Sequence, residues 1–230
     1  MAEHYNNSYY KEWIGAQKQD RVRMWSRRLE KLERFRHKGK LLDVGCGDGA
    51  FLLLAEKSGW EISGTELSRY AAKYASDKSG IKIFCGELFD AQYPTYAFDV
   101  VTMWHVLEHV TDPTRYLTEI HRILKPDGLL VVAVPNVNDI VMQIAYRIIK
   151  SRKMKLFSKD EREVHLYHFS AETIKAYLDK TGFDCLKLSP DFGIVDYGKK
   201  LINGISIIPY YLAGIHIYNA IEVFAIPKKV

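Results

Sequence analysis

Cysteine, long apolar runs and charge of one sign are all in short supply in this chain. Its three cysteines, Cys46, Cys85 and Cys185, make no disulfide or metal-binding spacing, so a reducing compartment is expected. A membrane-spanning helix needs about 18 or more nearly unbroken apolar residues. The richest stretch, Leu201 to Ile226, is interrupted by Asn203, Gly204, Pro209, Gly214 and Asn219, and is not expected to span. The 33 basic residues are answered by 28 acidic ones, leaving a net charge of +5. That balance argues only weakly for anionic partners and does not call for nucleic acid. No repeat, low-complexity tract or Pro/Gly/Ser-rich linker divides the chain, so residues 1–230 are expected to form one domain. The polar start, MAEHYNNSYYKEW, is unlike a signal peptide, and a cytoplasmic location is the expectation.

What the chain does have is the run LLDVGCGDGA from Leu41. Leu41 to Val44 read as a buried strand, Gly45 to Gly49 as a tight turn, and Phe51 to Ala55 as the opening of a helix. Glycines remove the Cβ atoms that would block a ligand approaching the backbone, and the free N–H groups of a helix start can hold an anion. The glycine spacing alone is ambiguous, because Gly45, Gly47 and Ala50 also satisfy a dinucleotide-binding pattern.

Strand and helix then alternate. Strands are expected at Leu41–Val44, Glu61–Thr65, Lys82–Cys85, Val100–Trp104 and Leu129–Val134, with helices at Phe51–Lys57, Ser68–Ser79 and Thr114–Leu124. A helix at Ala171–Lys180 and strands at Phe183–Leu188 and Ala220–Ile226 follow. Such alternation calls for a parallel sheet covered on both faces. Ahead of it, Val22, Trp25, Leu29 and Leu32 form a helical stripe among basic residues. That segment is expected to pack on the sheet edge with its charges solvated; an RNA-facing surface is the alternative.

Four motifs in order resemble the class I S-adenosylmethionine-dependent methyltransferases over roughly Gly39 to Gly182. They are Asp43-x-Gly45-x-Gly47-x-Gly49, Glu66 after the second strand, Gly86-Glu87 after the third, and the pair FDVVTMWHVLEHVTDP and LKPDGLLVVAVPN. The resemblance implies an α/β, Rossmann-like, seven-stranded, mostly parallel sheet with helices on both faces and an antiparallel last strand. It implies donor contacts from Asp43, Gly45, Cys46, Gly47, Gly49, Glu66, Leu67, Glu87 and Trp104. Glu66 would accept from both ribose hydroxyls and Glu87 would face the adenine amino group. The plainer reading of Glu66 is an acid at a helix start, and that of Glu87 a surface-turn acid. In this scheme residues 1–38 are a helical cover, 39–135 the donor-binding core, and 136–165 and 189–219 insertions on the acceptor side.

The implied reaction moves a methyl group from S-adenosylmethionine to a small-molecule acceptor; RNA or protein acceptors, or a non-catalytic partner subunit, are the alternatives. The leaving group departs neutral, so alignment supplies much of the acceleration, and a base is needed only where the acceptor must lose a proton. His105 is the residue placed for that, with His165 and His168 as alternatives. His105, Glu108 and His109 also spell a zinc-protease pattern, which the preceding strand and Gly turn argue against. A similar branch, the ubiquinone-pathway O-methyltransferases, carries Glu at the position of His105. No metal is expected, the alternative being a divalent ion on His105 and His109 sharing a helical face. Asp139 to Phe157 form a basic amphipathic helix, read either as a substrate lid or as a peripheral contact with the inner membrane surface that admits a lipid-like acceptor. Tyr5, Tyr9, Tyr10 and Trp13 are expected to close over the donor.

Overall fold

A computed structural model describes residues 18–150, 165–191, 193 and 197–229. In chain order the elements are α1 (Lys18–Glu33), β1 (Lys40–Val44), α2 (Ala50–Lys57), β2 (Glu61–Glu66), α3 (Arg69–Ser79), β3 (Phe84–Cys85), β4 (Phe98–Trp104) and α4 (Pro113–Ile123). Then come β5 (Leu124–Pro135), α5 (Ile140–Lys150), α6 (Ala171–Lys180), β6 (Phe183–Pro190), α7 (Tyr197–Ala213) and β7 (Ala220–Pro227). The strands form one sheet in the order β3-β2-β1-β4-β5-β7-β6, with β7 antiparallel to both neighbours and the remaining pairs parallel. The expected architecture is the one observed.

Period-2 alternation sorts β5 between two cores. Leu130, Val132 and Val134 join the core under α4 and α6, while Leu129, Val131 and Ala133 join that under α1, α2 and α3. A parallel strand covered on both faces carries this near-continuous apolar run. Helix starts follow local chemistry: Asp112 Oδ1 accepts from Arg115 N–H at 3.0 Å and Pro113 opens α4.

Four expectations are corrected. β3 keeps only Phe84 and Cys85, because β2 pairs with it only through Thr65 and Glu66. β5 begins at Leu124, which pairs with Phe98, five residues before the expected start. Val22 leaves the buried stripe of α1 and is 56% exposed. The basic residues of α1 are not all solvated: Arg21 and Arg28 are buried, and Lys31 turns inward to Glu222. Tyr5, Tyr9, Tyr10, Trp13 and the helix expected beyond Lys150 lie outside the described residues.

Candidate functional site

The sheet order reverses between β1 and β4, and a crevice at such a switch point is where open α/β sheets bind ligands. The turn after β1 is stitched to β2 by Gly45 and Cys46 N–H groups, which donate to the Thr65 carbonyl at 2.8 and 3.0 Å. Gly45 and Gly49 adopt φ of 71° and 70°, the left-handed region glycine enters without penalty. A Cβ on Gly45 would lie 2.6 Å from Val106 Cγ2, and one on Gly49 2.9 Å from Ala75 Cβ. At these two positions protein neighbours already exclude a side chain, which the ligand-approach argument did not foresee.

Three carboxylates organise this end of the sheet. Asp43 is buried and accepts from Thr102 Oγ1 at 2.6 Å. Burial pushes its carboxyl up to about 7, against the Thr102 hydrogen bond and the Arg28 charge. Glu66 Oε2 accepts from Gly47 N–H at 2.9 Å and Oε1 from Ser68 N–H at 2.8 Å. It therefore braces the loop and the start of α3 together, combining the helix-start role with contact to the Gly turn. Gly86 N–H donates to the Glu66 carbonyl at 3.0 Å, which brings Glu87, half-buried, onto the same end of the sheet. Leu67 is half-buried beside Glu66, and Cys46 is buried, its thiol pushed up by burial and by the Asp43 and Glu66 charges.

Trp104 ends β4 and lies edge-on to Trp25 of α1 and to Phe51 of α2, with ring centroids 5.9 and 5.4 Å apart. The Arg28 guanidinium lies over both indoles, 4.7 Å from the Trp25 ring and 4.6 Å from that of Trp104. Among the described residues, both indole N–H groups are buried and find no hydrogen-bond partner.

His105 follows Trp104 with φ of 57°, its N–H donating to the Ala133 carbonyl at 2.9 Å. Its Nε2 lies 3.2 Å from Asp191 Oδ2 and 3.2 Å from an Arg28 nitrogen, while Nδ1 is 3.6 Å from Glu108 Oε1. Burial pulls the imidazole down, but Asp191 and Glu108 more than offset this and raise it to about 9. Asp191, at the end of β6, is also gripped by Arg28 through both carboxylate oxygens. Burial opposes its ionisation, and the charges of Arg28 and His105 hold it well below the usual carboxylate range.

A family model described as a methyltransferase domain matches residues 16–188. The chain belongs to that family. It is 34% identical over 103 residues to the ubiquinone biosynthesis O-methyltransferase of Rhodopseudomonas palustris (strain TIE-1), covering 43% of this chain and 41% of that protein. The chain thus matches less than half the length of that relative. It is 26% identical over 179 residues to the demethylmenaquinone methyltransferase of Staphylococcus carnosus, covering 70% of this chain and 74% of that one. A solved SAM dependent methyltransferase from Aquifex aeolicus shares the fold, with a TM-score of 0.62 at 16% identity, 97% of this chain and 99% of that one being covered.

In this methyltransferase-family chain the His-x-x-Glu-His run is a turn rather than a helix, so His105 and His109 do not share a helical face. His105 turns to Asp191, whereas His109 faces His165, their ring centroids 4.9 Å apart. Glu108 lies beside them, 1% exposed, its Oε1 3.6 Å from His105 Nδ1 and 3.9 Å from His109 Nε2. Glu108, His109 and His165 offer ligand atoms within 4.8 Å of one another, the group among the described residues that could hold a cation.

Sequence reasoning missed Arg28, Asp48 and Asp191. Arg28 carried a signal: it sits three residues after Trp25 and four before Leu32, on the buried stripe of α1. Asp48 pairs with Arg21 at 3.0 Å, and Asp191 belongs to no local motif.

Proposed function

We propose that this chain transfers a methyl group from S-adenosylmethionine to a small-molecule, lipid-like acceptor. The observation that carries this reading is the Glu66 carboxylate, held by Gly47 and Ser68 N–H groups at the switch-point end of the sheet. The left-handed glycine turn after β1 fits close approach of a nucleoside-bearing ligand with a carboxylate tail. In this scheme Glu66 holds the ribose and Glu87 the adenine. Asp43, Gly45, Cys46, Gly47, Gly49, Leu67 and Trp104 shape the cradle. S-adenosylmethionine, when bound, supplies an activated methyl on a sulfonium whose leaving group is neutral. The chain's own work is to align the acceptor, exclude water and take its proton. His105 is the proposed base, with Asp191 holding its Nε2 and so orienting the ring, and Arg28 opposing its charge. Helix α5, apolar on one side and basic towards its end, extends the reading to peripheral contact with a lipid surface.

Calorimetry tests the donor assignment. S-adenosylhomocysteine should bind and NAD should not; tight NAD binding with no response to S-adenosylhomocysteine overturns the reading. Glu66→Gln leaves only one oxygen to accept hydrogen bonds and should weaken donor binding by about 1.5–3 kcal/mol. Circular dichroism should stay unchanged, and unaltered donor affinity would reduce Glu66 to a loop brace.

A further inference from the structure

Imidazoles gather around one buried carboxylate where the turn after β4 meets the segment that leads into α6. Glu108 and His109 are buried in that turn, and His165, from the other segment, is half-buried. Glu108 Oε1 stands 3.9 Å from His109 Nε2, beyond hydrogen-bond length, and the His109 and His165 ring centroids are 4.9 Å apart. Backbone contacts fix His165 in that position. The Leu166 and Tyr167 N–H groups donate to the Glu108 carbonyl at 2.8 and 3.1 Å, and the Tyr167 hydroxyl donates to the Thr111 carbonyl at 3.1 Å. Further along, Val137 N–H donates to the Phe169 carbonyl at 2.8 Å, which ties the same segment to the chain leaving β5. Outer contacts of this kind hold metal ligands in place.

One ligand atom from each of Glu108, His109 and His165 lies within 4.8 Å of the other two. Ligands about 2.1 Å from a tetrahedral zinc ion stand about 3.4 Å apart, so no pair has to close by more than about 1.4 Å. Two imidazoles and a carboxylate suit a borderline divalent ion such as zinc, whereas calcium and magnesium favour oxygen alone. Burying a carboxylate is costly unless positive charge meets it, and a divalent ion supplies that charge. Three protein ligands also leave a position open for water or another small ligand. The set is not the one that the HVLEH run offers. His105 is turned aside, its Nε2 3.2 Å from Asp191 Oδ2, and the fold delivers His165 in its stead.

We infer that Glu108, His109 and His165 form a binding site for a single zinc-like divalent cation. The cation pins the segment before α6 to the turn after β4, beside the residue proposed as the base. The site stands whether or not the chain transfers a methyl group.

Calorimetric titration of the chelator-treated full chain with zinc tests this. One equivalent should bind and should raise the melting temperature, since an ion held only by the folded state stabilises that state. His165→Ala and Glu108→Gln should each weaken zinc binding by about 100-fold or more, with circular dichroism of the zinc-free variants unchanged. His165 lies outside the regular elements, so its replacement decides the matter should Glu108→Gln fail to fold. His105→Gln and His37→Ala, the latter at an exposed position, should leave zinc affinity as it is. Zinc on Glu108 takes up charge that otherwise faces His105, so His105 is to be titrated on chelated protein. No binding, or equal binding by the His165 and Glu108 variants, overturns the site. Loss of binding in His37→Ala, or in His105→Gln but not in His165→Ala, puts the ion elsewhere and likewise overturns it.

Discussion

His105 shows how one side chain answers to partners that its neighbours in sequence do not reveal. In the HVLEH run it reads only as the imidazole placed to take a proton from the acceptor. In the fold, Asp191 and Glu108 raise it to about 9, so the cation dominates at neutral pH. If the neutral form takes the acceptor's proton, turnover should climb with pH and level off near 9 rather than near 6.5. His105→Ala should lower turnover by about 10²–10⁴-fold with donor affinity unchanged. Turnover within a few-fold of the parent, or a plateau already reached at pH 7, removes His105 from the chemistry. Asp191→Asn supplies a second readout, since loss of that carboxylate should shift the plateau to lower pH.

At the scale of elements, α1 is the segment whose role changed most between sequence and structure. Its Trp25, Leu29 and Leu32 bury as the stripe predicts, but Arg28 shares that face and enters the molecule with them. Two indoles cover its guanidinium and Asp191 neutralises it, which joins the first helix to the end of β6 across 163 residues of chain. Removing one partner of a buried pair leaves an uncompensated charge, whereas replacing both with apolar groups is often neutral. Arg28→Ala should therefore cost about 3 kcal/mol in urea unfolding, near the low end of the range because His105 still faces Asp191. The double replacement Arg28→Met with Asp191→Leu should recover much of that loss. Equal destabilisation by both would show that the pair itself, and not the orphaned charge, holds α1 in place.

For the whole molecule, these groups set a pH window of stability. His105 is raised in the folded state, so its contribution is complete below about 6.5 and is lost as pH rises through about 9. Asp43, raised to about 7, contributes below the ordinary carboxylate range and loses that contribution as pH climbs through 7. Asp191 is lowered, and its contribution disappears only as pH falls well into acid. The melting temperature should decline from mildly acidic pH towards pH 9. His105→Gln should flatten the part of that decline above about 6.5, and an unchanged slope would show that the imidazole is not coupled to folding.

What the sequence determined by itself was whatever depends on short spacing. The Gly45–Gly49 turn and the apolar runs of β1, β4 and β5 are written in adjacent residues, because turn dihedrals and strand faces are local physics. Glu66 ends β2 and Glu87 follows β3, as the strand pattern places them. Tertiary structure alone decided the partners of His105, the fate of the α1 cations and the joining of α5 to α7. Those outcomes bring together Arg28, His105 and Asp191, or two insertions on either side of β6, and no local pattern encodes which distant charge will meet a buried one. A buried cation must find an anion wherever the chain delivers one, and it is the packing of α1 over the end of β6 that delivers Asp191 to Arg28.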